Sequence, residues 1–309
     1  MRRATALVIG AGLVALALTG CSSSPEANCD SALPSGSASS LVRASGPIGK
    51  EPKVTAPSPI ATSSSNRTVL TEGSGATVTG GQLVELGYTL IDGSTGAVAG
   101  SGYGNQSGVL PLDTKASGVA GVLSRGVQCT KVGSRVAIAI SPKDAGAQSS
   151  AAGAAQIYVV DVVNTSLAAA NGAVRPSVSG FPTVVLAPSG QPGITLPSSG
   201  GAPKKVRSEL LKEGDGATVK KDSIVVLQYT AVGWDNKNVL TTSWGAGGPD
   251  LASMSTGQSN IQNQNSSVLP QAMLGQLVGK KVGSQVVVET PASGSVPAAA
   301  WVVDILGVR

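Results

Sequence analysis

The chain of 309 residues contains no histidine. That excludes Ser-His-Asp and Cys-His nucleophilic catalysis and any imidazole-bound metal. No cluster of cysteines or carboxylates takes histidine's place, so neither a metal nor a cofactor is expected. Aromatic residues are also scarce, at 3% of the chain, and Phe181 is its single phenylalanine. A core without aromatic bulk is filled by aliphatic and β-branched side chains, and the Val-rich runs here suit strands. Charged residues make up only 13%. No basic run is interleaved with aromatics, so nucleic acid is not an expected partner.

Glycine and proline, by contrast, are abundant, at 41 and 18 residues, and give turns and linkers a large share of the chain. The length suits about two domains of roughly 100–200 residues each. At the start, Arg2 and Arg3 precede an apolar stretch, Ala4 to Ala17, that is too short for a membrane span. Leu18-Thr19-Gly20-Cys21 then matches a bacterial lipobox. The pattern predicts a lipoprotein signal peptide over 1–20. Cys21 would carry the lipid, anchoring the protein at the outer face of the cytoplasmic membrane. An ordinary signal peptide with a coincidental cysteine is the alternative. Removing Arg2 and Arg3 lowers the 22 basic residues to 20, against 17 acidic ones, a mild balance. Residues 21–48, rich in Ser, Ala, Gly and Pro, read as a flexible tether. An oxidising compartment permits a disulfide between Cys29 and Cys129; two free buried thiols are the other reading.

The rest of the chain repeats. Glu72 to Thr89 reads EGSGATVTGGQLVELGYT, and Glu213 to Thr230 reads EGDGATVKKDSIVVLQYT. In both, E-G-x-G predicts a turn in which glycine takes positive φ. An apolar strand then ends in Tyr-Thr, at Tyr88 and Tyr229. Further strands are expected over Asn66–Thr71, Val98–Tyr103 and 156–163, and over Lys205–Leu211, Val239–Trp244 and 300–306. One short helix per copy fits Ser117–Leu123 and Pro270–Leu277, with Pro270 in the first turn. K-V-G-S follows each helix, at 131–134 and 281–284, and enters a strand of strong β formers. Lys53–Ala56 and Gly193–Leu196 read as leading strands or as plain linker. This order predicts an α+β fold, an antiparallel sheet covering one helix, twice over.

The ordered set resembles the FKBP-type peptidyl-prolyl isomerases. Its parts are E-G-x-G-x-x-V, a strand ending Y-T, a D-G-type turn, a short helix, K-V-G-S and a terminal V-x-D-V/I strand. The chain looks like two such domains in tandem, at 49–166 and 204–309, joined by a 167–203 linker, on an actinobacterial-type lipoprotein. The resemblance implies a proline-binding pocket between sheet and helix, and catalysis by amide rotation without a nucleophile.

Its pocket positions fall on Tyr88, Val98, Val119, Ala120 and Leu123 in the first copy. In the second they fall on Tyr229, Leu240, Leu269, Pro270 and Met273. The family's Phe-Asp pair becomes Val98-Ala99 and Leu240-Thr241, so neither copy has the acid there. The helix tryptophan becomes Leu123 and Met273. Trp244 is a partial substitute or ordinary packing, and Tyr158 and Trp301 read as core. The partners implied are proline-containing or unfolded polypeptides of the envelope, and the membrane through the lipid. Three functions follow as expectations: an isomerase assisting the folding of exported proteins, a catalytically degenerate binding module of the same fold, or a spacer.

Overall fold

The computed structural model describes residues 29–146, 153–245, 248–259 and 268–309. Cys21, the 1–20 segment and most of the loop at 257–267 lie outside the described residues.

The architecture is predominantly antiparallel β-sheet with a few short helices. The first half runs α1 (Ser37–Ser40), β1 (Arg43–Ser45), β2 (Lys53–Thr55), β3 (Asn66–Thr71), β4 (Leu83–Asp92), β5 (Val98–Gly102), β6 (Gly108–Pro111), α2 (Gly118–Val127), β7 (Arg135–Ile140), α3 (Pro142–Ala145) and β8 (Gln156–Thr165). The second runs β9 (Ala173–Val174), β10 (Thr183–Leu186), β11 (Pro192–Thr195), β12 (Arg207–Glu213), β13 (Ile224–Gly233), β14 (Val239–Thr242), β15 (Asp250–Ser253), α4 (Gln271–Leu274), β16 (Gln285–Thr290) and β17 (Ala299–Val308). The main sheets have the orders β3-β7-β8-β4-β5, with β6 on β4, and β14-β13-β17-β16-β12-β9, with β15 on β13. The two halves thus share one plan: β4 and β13 are the long central strands, and β8 and β17 return beside them.

Each sheet is buried on both faces. In β7, Val136, Ile138 and Ile140 point to α2, where they join Val84, Leu86, Val122 and Val127. The alternate residues Ala137 and Ala139 face the other way and meet Ala38, Val42 and Ile60. Side chains alternate across a strand, so small alanines on one face let α1 approach closely while the other face fills the main core. The covering layer comes from residues 29–60. This overturns the expected tether over 21–48 as far as it is described. Cys29 is joined to Cys129 by a disulfide, and β1 pairs with β2. The leading strands expected at Lys53–Ala56 and Gly193–Leu196 are the second arms of hairpins, β1–β2 and β10–β11.

Each leader is held by one buried aspartate from the V-x-D motif. Asp161 accepts from the Gly49 amide at 2.7 Å and pairs with Arg135 through Nε at 2.6 Å and Nη2 at 2.7 Å. Arg135 also donates to the Gly46 and Pro47 carbonyls. In the second half, Asp304 accepts from the Ala170 amide at 2.8 Å, but its side-chain partner is neutral Gln285, at 2.7 Å. Burial without a paired guanidinium pushes the Asp304 carboxyl up to about 6, against the backbone and Gln285 hydrogen bonds and the Lys212 charge that lower it.

The E-G-x-G glycines serve a purpose other than the expected one. Gly73 and Gly214 are not among the positive-φ residues. A Cβ on Gly73 would lie 2.3 Å from the Val132 carbonyl oxygen, and one on Gly214 2.2 Å from that of Val282. The Gly73 amide donates to Ser134 Oγ at 2.9 Å, and the Gly214 amide to Ser284 Oγ at 3.0 Å. E-G-x-G and K-V-G-S are therefore the two sides of one backbone contact, made twice. The halves touch through Leu83, Val226 and Leu306, and Arg309 pairs with Glu85 at 2.9 Å.

Asp304 generates a pH prediction. Between its unfolded value near 3.8 and its folded value of about 6, the folded chain keeps a proton that the unfolded chain has released. Its contribution to stability is full below that window and declines as pH rises through it. Urea unfolding of Asp304→Asn minus wild type, from pH 3.5 upward, is expected to show the variant gaining relative stability up to about pH 6 and then levelling off.

Candidate functional site

The tyrosine at the end of the repeated motif has a different environment in each half. On β4, the residues Leu86, Tyr88 and Leu90 share the face that looks toward α2. They form one wall of a cavity of about 690 Å³. Val160 and Tyr158 of β8 stand opposite Tyr88 and Leu90 and extend that wall. Val119, Ala120 and Leu123 of α2 close the far side, while Gly108, Val109 and Leu110 of β6 close one end. Ser117 is the helix N-cap residue, and it lines the mouth. Among the described residues no charged side chain lines the cavity, and the polar side chains there are those of Tyr88, Tyr158 and Ser117. Burial and the neighbouring Tyr88 push the Tyr158 phenol up from its usual value. Such a site suits a neutral, largely apolar ligand that brings its own hydrogen-bonding groups.

Four of the expected first-copy residues, Tyr88, Val119, Ala120 and Leu123, come together here. Val98 does not. It is 57% exposed on the edge strand β5, and its neighbour Ala99 lines the cavity instead. Tyr158, expected in the core, is half-buried in the pocket wall. α2 is also longer than expected and reaches Val127, which packs in the main core.

In the second half the corresponding space is filled. Tyr229 is only 4% exposed, Leu269 and Met273 belong to the closed core, and Pro270 is the N-cap residue of α4 rather than a first-turn residue. Leu240 lies on the exposed edge strand β14, outside this core. The cause lies one register position from Tyr229. Ala231 stands opposite Trp301, as Leu90 stands opposite Tyr158. The small alanine leaves room for the indole, whose ring centroid is 5.9 Å from that of Tyr229 and whose Nε1 donates to Thr290 Oγ1 at 3.2 Å. Trp244 does not substitute for a pocket aromatic. Its ring instead approaches Gly190, beside the β10–β11 hairpin.

The second half does bring a carboxylate to its tyrosine, from a strand other than the one that carries Leu240-Thr241. The Tyr229 hydroxyl donates to Asp250, which β15 brings beside it from across Leu227. Sequence reasoning missed β6 and β15 because both are short and embedded in polar loops. The alternation in Ala252-Ser253-Met254-Ser255 was the available signal. Among the described residues, no group of His, Cys, Asp and Glu is placed to hold a metal, and no helix is long and apolar enough to cross a membrane.

No family model and no curated protein matches the chain. Solved structures similar to it include the three FKBP domains of wheat FKBP73, at 12% identity and TM-score 0.32, over 79% of this chain and 94% of that one. The N-terminal domain of FKBP42 from Arabidopsis thaliana is similar at 20% identity and TM-score 0.30, over 39% and 98% of the two chains. A putative peptidyl prolyl cis-trans isomerase, FKBP12 from Mycobacterium tuberculosis, is similar at 26% identity and TM-score 0.28, over 33% and 83%.

The contrast between the halves is testable by truncation. Trp301→Ala is expected to lower stability by about 3–5 kcal/mol, because it empties a closed core. Tyr158→Ala, at the matching position in an open wall, is expected to cost clearly less. Denaturant unfolding of the two variants measures the difference.

Proposed function

We propose that this chain is a tandem FKBP-like, lipid-anchored protein of α+β fold. Its first domain takes in the leader from Cys29, and its second begins near Ala170. Its first-half pocket binds proline-containing or unfolded polypeptides outside the cytoplasmic membrane and assists their folding by prolyl cis-trans isomerisation. The observation that carries this reading is the uncharged cavity of about 690 Å³ between Tyr88 and α2.

The reaction asks little of the protein. Rotation about X-Pro must cross an amide barrier of about 18–20 kcal/mol, and no bond to a heavy atom breaks. An apolar wall favours the twisted amide, which has lost conjugation, over the planar one that water solvates well. Tyr88, Tyr158, Leu86 and Leu123 supply that wall. No general base is needed, which accords with a chain lacking histidine.

A second reading, binding without catalysis, is favoured by the composition of the floor. Leu123 stands where the family resemblance places tryptophan, and among the described residues no carboxylate lines the cavity. Lost aromatic area weakens proline binding at roughly 25 cal/mol per Å².

A protease-coupled assay with the mature chain separates the two. Acceleration of cis-to-trans conversion is expected, and Ala120→Glu, at the exposed rim of α2, is expected to abolish it without unfolding the protein. Binding with no acceleration supports the second reading, and neither binding nor acceleration defeats both. The anchor is tested separately: Cys21→Ala is expected to move the protein from the membrane fraction to the soluble fraction.

A further inference from the structure

The duplication allows one half to be compared with the other position by position. β6 and β15 occupy the same place: Gly108 stands opposite Leu86, and Asp250 opposite Leu227, each two residues before the tyrosine. In the second half, the Asp250 carboxylate accepts the Tyr229 hydroxyl. In the first half, Gly108 offers nothing to Tyr88. Glycine is not required at 108 by the backbone, since its φ is not positive. Nor is the space closed, because a Cβ there would meet the Tyr88 ring at 3.8 and 3.9 Å, ordinary contact distances. Among the described residues, neither the Tyr88 nor the Tyr158 hydroxyl has a hydrogen-bond partner in the chain. Both side chains are half-buried in the pocket wall, where a phenol hydroxyl ordinarily finds one.

We propose that the Tyr88 hydroxyl, left free by Gly108, is the hydrogen-bond donor of the first-half pocket and is given to a backbone carbonyl of the bound polypeptide. Asp250 uses up the same hydroxyl internally in the second half. The exchange of glycine for aspartate, and not the tyrosine itself, then determines which half offers a donor to a ligand. A donor suits the proposed ligand, because proline has no N–H and an X-Pro junction presents the wall with carbonyl oxygens alone. A carboxylate at position 108 would both engage Tyr88 and set a negative charge beside those oxygens. This inference rests on the polypeptide-binding reading, and the test is arranged so that the two fail separately.

The mature chain, with Cys29–Cys129 intact, is titrated with the blocked peptide N-acetyl-Ala-Leu-Pro-Phe-amide and followed by NMR chemical shifts. Wild type is expected to saturate. Tyr88→Phe is expected to weaken binding roughly five- to tenfold, the effect of one lost hydrogen bond. Gly108→Asp is expected to weaken it at least as much. Tyr229→Phe, in the closed core of the second half, is expected to stay within about twofold of wild type. Wild-type affinity in Tyr88→Phe overturns the assignment of the donor and leaves the pocket reading standing. Weakening by Tyr88→Phe alone, with folded Gly108→Asp binding as wild type, overturns the role of Gly108. If Gly108→Asp does not fold, Gly108→Asn, whose amide oxygen can accept the same hydroxyl, takes its place, and wild-type affinity in it overturns that role. No binding by wild type overturns the polypeptide reading and this inference with it.

Discussion

Each half of the molecule depends on a place where two backbones come close enough to exclude a methyl group. Gly73 lies on the Val132–Ser134 turn, and Gly214 on the Val282–Ser284 turn, with the serine hydroxyl accepting the glycine amide. That contact joins the exit of β3 or β12 to the turn between helix and sheet. It sets where β4 and β13 begin, and so which of their side chains face the helix. A strand shifted by one residue would turn Tyr88 away from α2 and bring Gly87 and Thr89 to the cavity. Two motifs whose contacting residues lie 61 and 70 residues apart are therefore a single structural element, which explains why they recur together in both copies.

Outside this frame, the two halves have diverged at a few positions with large consequences. On the outer face, Arg135 became Gln285 opposite the same buried aspartate. A satisfied ion pair was replaced by a neutral hydrogen bond, and the carboxyl responds by titrating near 6. On the inner face, Leu90 became Ala231, Tyr158 became Trp301 and Gly108 became Asp250. These exchanges act together. The alanine admits the indole, the indole packs on the tyrosine, and the aspartate takes the tyrosine hydroxyl. One half keeps an open apolar cavity, and the other spends the same volume on its own core. Closing the second core in this way is worth several kcal/mol of stability, about what a buried aromatic contributes.

The leader has a comparable double role. Residues 29–60 have the composition of a linker, yet they cover the outer sheet face and are held there by a disulfide, a hairpin and the Arg135–Asp161 pair. Their small residues are what such a layer needs. Ala38 and Val42 lie against Ala137 and Ala139, where larger side chains would hold the layer off the sheet. Low complexity here reflects close packing rather than freedom.

Local pattern alone placed the repeated motifs, the central strands and the neighbourhood of both helices, while the family resemblance singled out Tyr88, Val119, Ala120 and Leu123, which line one cavity. Those features rest on periodicity and on side chains acting near their own place in the chain. Tertiary structure decided which tyrosine is accessible, because that depends on what β8 or β17 places opposite the next residue along its face. It also decided that Asp250 accepts the Tyr229 hydroxyl, that Tyr158 is wall rather than core, that Val98 and Leu240 lie on edges, and that Gly73 is needed for close approach rather than for positive φ. Each of these is a contact between residues distant in sequence, and neither composition nor spacing records the distance between two strands.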